Sequence, residues 1–235
     1  VGRRRLFEMA TYVLIPGATG DSWYWHRVVP LLRARGHEVV APDLPARDES
    51  AGLDAYVDVI ERAIGDRRDL VIVAQSMGAL SAPLVCARRE CERLVLVAPM
   101  IPAPGETGGE WWARSGQTDA ERAMAIAEGR DPDAPFDPLV MFLHDVPEDV
   151  IVQSASRPHA QSSRPFDDPW PLAAWPEVET QVIAGTHDRL FPIDFVRRLA
   201  KERLGVTPIE IDTGHLVALA KPAELVSLLT AGRSR

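Results

Sequence analysis

The chain has 235 residues, 46% hydrophobic and 26% charged, and carries a formal net charge of −8. That length and apolar share suit one domain with a substantial core and argue against wholesale disorder. The acidic balance, with no Lys/Arg-rich stripe after residue 5, speaks against a nucleic-acid surface, and no apolar run approaches the roughly 18–20 residues of a membrane span.

Residues 1–9 are basic without the apolar stretch of a signal peptide, and are read as an extension or disordered segment outside the fold. Short apolar, β-branched runs then follow at 11–15, 38–41, 70–74, 94–98, 181–184 and 208–211. None shows clean polar alternation, as expected of strands buried on both faces. Longer helical patterns separate them. Residues 25–35 form one, ending at Gly36; Leu53, Tyr56, Val57, Ile60 and Ile64 form another apolar stripe, closed by Gly65. Further helices are expected just after Ser76, near Ile193 and near Leu216. This alternation reads as an α/β fold, a doubly wound, mostly parallel sheet of about six strands.

One stretch breaks the rhythm. Residues 100–176 show no convincing strand, eleven prolines, and the aromatics Trp111, Trp112, Phe136, Phe142, Phe166, Trp170 and Trp175. So much aromatic area predicts a packed helical cap inserted into a core of residues 10–99 and 177–235. Whether those rings line a pocket or hold the cap together is not decided by the pattern. Cys86 and Cys91 show neither a metal spacing nor a disulfide framework, so reduced thiols and a cytoplasmic setting are expected. Only Lys201 and Lys221 are lysines among the 26 basic residues, an arginine bias that fits GC-rich coding and a bacterial source.

The strongest local signal is Ala74-Gln75-Ser76-Met77-Gly78, between a buried strand and a helix. A serine on so sharp a turn exposes its hydroxyl above the sheet, and small residues two before and two after allow the close backbone approach. A serine hydroxyl needs a base held by a third group to act as a nucleophile. Among six histidines, His215 in Asp212-Thr213-Gly214-His215-Leu216 lies just past the last strand, where ligand-facing residues of parallel sheets collect. His26 and His37 read as surface or capping residues, and His144 and His159 as cap residues. Asp188 lies past the preceding strand and is preferred as the acid over Asp212, because the adjacent loop reaches the imidazole from behind. His187, its neighbour, is expected to point away.

The order Ser76, Asp188, His215 is that of α/β-hydrolases. The first loop, Pro16-Gly17-Ala18-Thr19-Gly20-Asp21-Ser22-Trp23-Tyr24-Trp25, resembles the plant methylesterase and hydroxynitrile lyase branch, where a His-Gly-Ala turn precedes a Trp-x-Trp pair. The likeness continues through Val29-Pro30-Leu31-Leu32, Gly36-His37, Pro42-Asp43-Leu44-Pro45, the serine turn and both later loops. It implies the α/β-hydrolase fold, and an oxyanion hole of the backbone N–H groups of Ala18 and Met77. Position 77 suits that role, following the nucleophile at a helix N-terminus. Two departures stand out. Pro16 replaces the usual histidine, implying altered loop packing. Leu216 stands where cyanide-releasing lyases of this branch carry a lysine, and an apolar side chain cannot stabilise departing cyanide.

The expected activity is hydrolysis of a small, neutral carboxylic ester or lactone through an acyl-enzyme, with no metal or organic cofactor and a small molecule as partner. Residues 100–176 hold 13 acidic and 5 basic side chains, which would repel anionic substrates if that field faces the site. Biosynthetic acyl transfer, cyclisation or elimination, carbon–carbon bond hydrolysis, and a non-catalytic ligand-binding descendant stay open, as does the oligomeric state.

Overall fold

In a strand buried on both faces, successive side chains must satisfy two different cores, because they point to opposite sides of the sheet. The computed structural model, which describes residues 9–157 and 159–231, shows six strands, buried throughout at 11–15 and 70–75 and partly exposed at 38–40 and 209–211. They are β1 (Thr11–Ile15), β2 (Glu38–Val40), β3 (Leu70–Gln75), β4 (Cys91–Val97), β5 (Glu179–Gly185) and β6 (Ile209–Ile211). They form one sheet in the order β2-β1-β3-β4-β5-β6, every pairing parallel. Apart from Met9, the segment 1–9 lies outside the described residues.

The outer helices are α1 (Val29–Ala34), α2 (Leu53–Ile64) and α3 (Ala82–Arg88). Between β4 and β5 come α4 (Gly108–Arg114), α5 (Gln117–Ala127), α6 (Pro138–Met141), α7 (Glu148–Ser154) and α8 (Arg164–Asp167). After β5 follow α9 (Ile193–Leu204), α10 (Val217–Ala220) and α11 (Pro222–Thr230). One face of the sheet presents Val13, Ile72, Leu94, Leu96 and Val182 to α2, α3 and α9. The other presents Tyr12, Leu14, Val73, Val95 and Ile183 to Trp25, α1 and α11. The sheet is therefore doubly wound, and it is parallel throughout.

Helix α2 buries the expected stripe and ends at Gly65 with φ +58°. Three other expected helices are broken or delayed, each at a proline. Proline has no N–H and is tolerated only in a first turn. The pattern over 25–35 is thus split into a 3₁₀ turn, Ser22–Trp25, and α1, which starts one residue before Pro30. Likewise Ser76–Leu80 is a 3₁₀ turn, with α3 beginning just before Pro83. Pro222 opens α11 and separates it from α10.

Tryptophans brace the segment between β4 and β5, one against the Ser76–Leu80 turn and two against the segment's own start. The indole N–H of Trp111 donates to the Ile101 carbonyl at 3.0 Å, that of Trp170 to Leu80 at 3.0 Å, and that of Trp175 to Pro102 at 3.1 Å. Trp111 and Trp170 are fully buried. Buried Glu106 adds an ion pair to Arg203 on α9. These rings therefore hold the segment down; Phe142 alone among the aromatics of 100–176 packs against His215.

Candidate active site

A parallel sheet opens a crevice where connections leave neighbouring strands in opposite directions. Here that point is between β1 and β3, since the chain leaves β1 for β2 on one side and returns to β3 on the other. Ser76 stands at the end of β3 with φ +52°, a left-handed conformation that non-glycine residues adopt only under constraint. Gly78 makes the turn possible: a Cβ there would lie 2.7 Å from the Pro16 carbonyl oxygen and 3.1 Å from that of Ile15. The Ser76 carbonyl accepts from Met100 N–H at 3.1 Å, pinning the turn to the end of β4.

The loops after β5 and β6 run side by side. Thr186 N–H donates to the Ile211 carbonyl at 2.9 Å and His187 N–H to that of Thr213 at 3.0 Å. This brings Asp188 beneath His215. Asp188 Oδ2 lies 2.7 Å from His215 Nδ1, and His215 Nε2 lies 3.1 Å from Ser76 Oγ. The second carboxylate oxygen of Asp188 accepts from the N–H groups of Leu190 and Phe191, each at 2.9 Å. Asp188 is 1% exposed, His215 2% and Ser76 8%. A carboxylate so buried needs all of these donors. With Nδ1–H directed to the carboxylate, Nε2 carries the lone pair that can receive the serine proton.

Asp212, the rival acid, is elsewhere. Its carboxylate faces solvent and bonds His187 Nε2 at 2.7 Å, so the side chains of both turn away from Ser76. His26 is half-buried, stacked on Trp23, with Nδ1 2.8 Å from that residue's carbonyl. His37, expected as a surface or capping residue, is buried beside Tyr12, and its Nδ1 accepts from Ala10 N–H at 3.4 Å. His144 lies against Gly214, whereas His159 is exposed.

Met77 begins the turn after Ser76, where helix geometry supplies its N–H with no carbonyl partner. Ala18 follows Gly17, and a Cβ on Gly17 would sit 3.1 Å from that of Ser76, so the loop after β1 passes directly beside the serine.

Three residues at the site were given no role there by the sequence pattern. Asp145 Oδ2 accepts from Thr213 Oγ at 2.7 Å and from Gly214 N–H at 2.6 Å, bracing the loop that carries His215. Phe142 and Phe191 flank the imidazole, with ring centroids 5.3 and 5.1 Å away. A cavity of about 350 Å³ opens next to the β1 loop, lined by Thr19, Asp21, Asp43, Leu44, Arg47 and Arg157 among others; Ser76, Asp188 and His215 are not part of its lining.

A parallel doubly wound sheet with a serine turn at its switch point and a histidine and carboxylate on the last two loops defines the hydrolase class of α/β proteins. Residues 12–228 match the model of the alpha/beta hydrolase family, and the chain belongs to that family. It is similar to a pyrethroid hydrolase of Sphingobium wenxiniae, 26% identical over 242 residues that cover 92% of this chain and 85% of that protein. Esterase PIR7B of Oryza sativa subsp. japonica is 33% identical over 111 residues, covering 42% of this chain and 41% of the rice protein. Among solved structures, the Arabidopsis methylesterase MES16 superposes with a TM-score of 0.74 at 19% identity, covering 94% of this chain and 97% of that one. No helix among the described residues is long and apolar enough to cross a membrane.

Proposed function

We propose that this chain is a serine hydrolase that cleaves a small, neutral carboxylic ester or lactone through an acyl-enzyme. The observation that carries the reading is the unbroken hydrogen-bond line from Ser76 Oγ through His215 to Asp188. In this reading His215 Nε2 takes the Ser76 proton as Oγ attacks the carbonyl carbon. Asp188 holds the imidazole in the required tautomer and stabilises the imidazolium. The negative charge on the carbonyl oxygen is received by the N–H groups of Ala18 and Met77. His215 then gives its proton to the departing alkoxide, and water, deprotonated by the same nitrogen, releases the acid and frees Ser76.

The ester class is supported by the names of the two relatives, a pyrethroid hydrolase and an esterase. Preference for a neutral substrate is supported by the acidic excess of residues 100–176 and by the apolar, half-buried Leu216 beside the base. Residues 100–176 act as the cap of a core formed by 10–99 and 177–235. The unbridged Cys86 and Cys91 and the arginine bias support a cytoplasmic, bacterial protein.

The test is Ser76→Ala assayed on short p-nitrophenyl esters, with circular dichroism as the check on folding. Turnover is expected to vanish while the fold persists. Undiminished turnover by a folded Ser76→Ala protein refutes the assignment.

A further inference from the structure

An oxyanion hole stabilises charge only when its donors are aimed before the reaction begins, so what holds the β1 loop matters as much as what it carries. That loop is not held by the sheet alone. Thr19, next to Ala18, has φ +75°, a left-handed conformation for a β-branched residue, which persists only where surrounding contacts over-determine it. A contact of that kind comes from Gln161, far away in sequence. Gln161 Oε1 accepts from Thr19 N–H at 2.9 Å. A backbone N–H can only donate, so the facing atom of the amide must be its oxygen. The amide nitrogen then donates to the hydroxyl of Tyr56 at 3.0 Å and to the Ser162 carbonyl at 3.0 Å. Tyr56 belongs to the buried face of α2, so Gln161 is itself anchored to the core.

Neighbouring contacts reinforce the grip. Ser162 N–H donates to the Ala46 carbonyl at 2.6 Å. The guanidinium of Arg157 makes two hydrogen bonds of 2.8 Å to Asp21, whose carboxylate also receives Trp23 N–H at 2.9 Å. The Ala18–Thr19 peptide is thereby clamped at its N–H end. A peptide group is planar, so fixing that N–H restricts the ψ of Ala18 and, with it, the orientation of the residue that presents the donor to Ser76.

We infer that Gln161 is a positioning residue for the oxyanion hole, linking the core through Tyr56 to the peptide that follows Ala18. The inference rests on the proposed acyl-enzyme reading, and it assigns a task to a residue of the insertion that touches neither the triad nor the reacting atoms. It concerns the transition state, because only there does the carbonyl oxygen carry the charge the loop must meet. Loss of the clamp therefore lowers kcat and leaves KM in place.

The experiment uses the full chain and its Gln161→Met variant, which keeps the side chain's bulk and removes both hydrogen-bonding groups. Two readouts are taken: p-nitrophenyl ester kinetics, and inhibition by a trifluoromethyl ketone, whose adduct with serine carries the oxyanion. Complete loss of one oxyanion donor costs on the order of 10²–10³ in rate, so a misaimed donor is expected to cost at least about tenfold in kcat. Trifluoromethyl ketone affinity should fall by the same factor, with KM unchanged. A folded Gln161→Met protein with parental kcat and inhibitor affinity overturns the inference, as does a change confined to KM. Should Gln161→Met fail to fold, Tyr56→Phe severs the other end of the same link without removing the ring. A smaller loss of kcat at constant KM then supports the clamp, and an unchanged kcat overturns it. Fluorophosphonate labelling of the parent separates the two levels: an unlabelled Ser76 sinks the catalytic reading, whereas a labelled Ser76 with an inert Gln161→Met change sinks the clamp alone.

Discussion

Replacing Asp145 with alanine removes the brace under the loop that carries His215. Two donors depend on its Oδ2, the Thr213 hydroxyl at 2.7 Å and the Gly214 N–H at 2.6 Å, and both residues are buried. Hydrogen bonds to an ionised acceptor contribute about 1.5–3 kcal/mol each, so the gross loss is about 3–6 kcal/mol. Against this, Asp145 Oδ1 is buried with no hydrogen-bond partner among the described residues, and deleting it relieves a desolvation cost of about 1–3 kcal/mol. Taking the middle of each range, the net expectation is a destabilisation of about 2–3 kcal/mol. For a chain of this length each kcal/mol moves the melting temperature by about 2–4 °C, which places the Asp145→Ala transition about 4–12 °C below the parent. Calorimetry reads this directly. Asp145→Asn keeps a carbonyl oxygen for both donors but loses the charge, and should recover about half of the loss. Because Gly214 adjoins the base, kcat on p-nitrophenyl acetate should fall at least about tenfold in Asp145→Ala, as small misplacements of reacting groups do. An Asp145→Ala protein that melts within about 1 °C of the parent would show that these two bonds contribute nothing net, and the reasoning would fail.

The two candidate acids are separable by rate: Asp188→Asn should lower kcat by about 10⁴ through loss of the correct imidazole tautomer. Asp212→Ala, which breaks only the exposed pair with His187, should leave ester turnover unchanged. Gly78→Ala forces a methyl group to within 2.7 Å of the Pro16 carbonyl oxygen and should destabilise by about 1–3 kcal/mol, read from urea unfolding. Finally, burial raises the pKa of the Asp21 carboxyl, but its bonds to Arg157 and Trp23 outweigh that and hold it below the ordinary 3.8. A lowered folded-state pKa gives stability that is complete above the unfolded value and lost as pH falls through the folded one. The stability gap between parent and Asp21→Asn should therefore be constant above about pH 4 and shrink below it, in acid titrations followed by fluorescence.

The strands were legible because burial on both faces leaves a local mark: runs such as Leu-Val-Ile-Val at 70–73 have no polar face to offer. Helix α2 was legible to the residue because its stripe and its terminal glycine agree. Where helices were expected around Pro30, Pro83 and Pro222, proline set the helix start. Ser76 and His215 were visible through their flanking strands. Choosing between Asp188 and Asp212 was harder, since each follows a strand and only side-chain direction separates them. Asp145 and Gln161 left no local trace, as their partners lie 69 and 142 residues away in the chain.

The long excursion between β4 and β5, which pair side by side, has a consequence for how this protein can change. Closing a loop costs entropy that grows only logarithmically, about 0.6 kcal/mol per doubling of length. Relative to a crossover a quarter as long, residues 98–178 therefore burden the sheet by only about 1.2 kcal/mol. Burial of an aromatic side chain such as Trp111 or Trp170 contributes about 1.5–3 kcal/mol and offsets that on its own. Sequence between such anchors can lengthen, shorten or diverge with little effect on the sheet, so new substrate preferences can arise in the insertion while the strands that hold Ser76, Asp188 and His215 stay as they are.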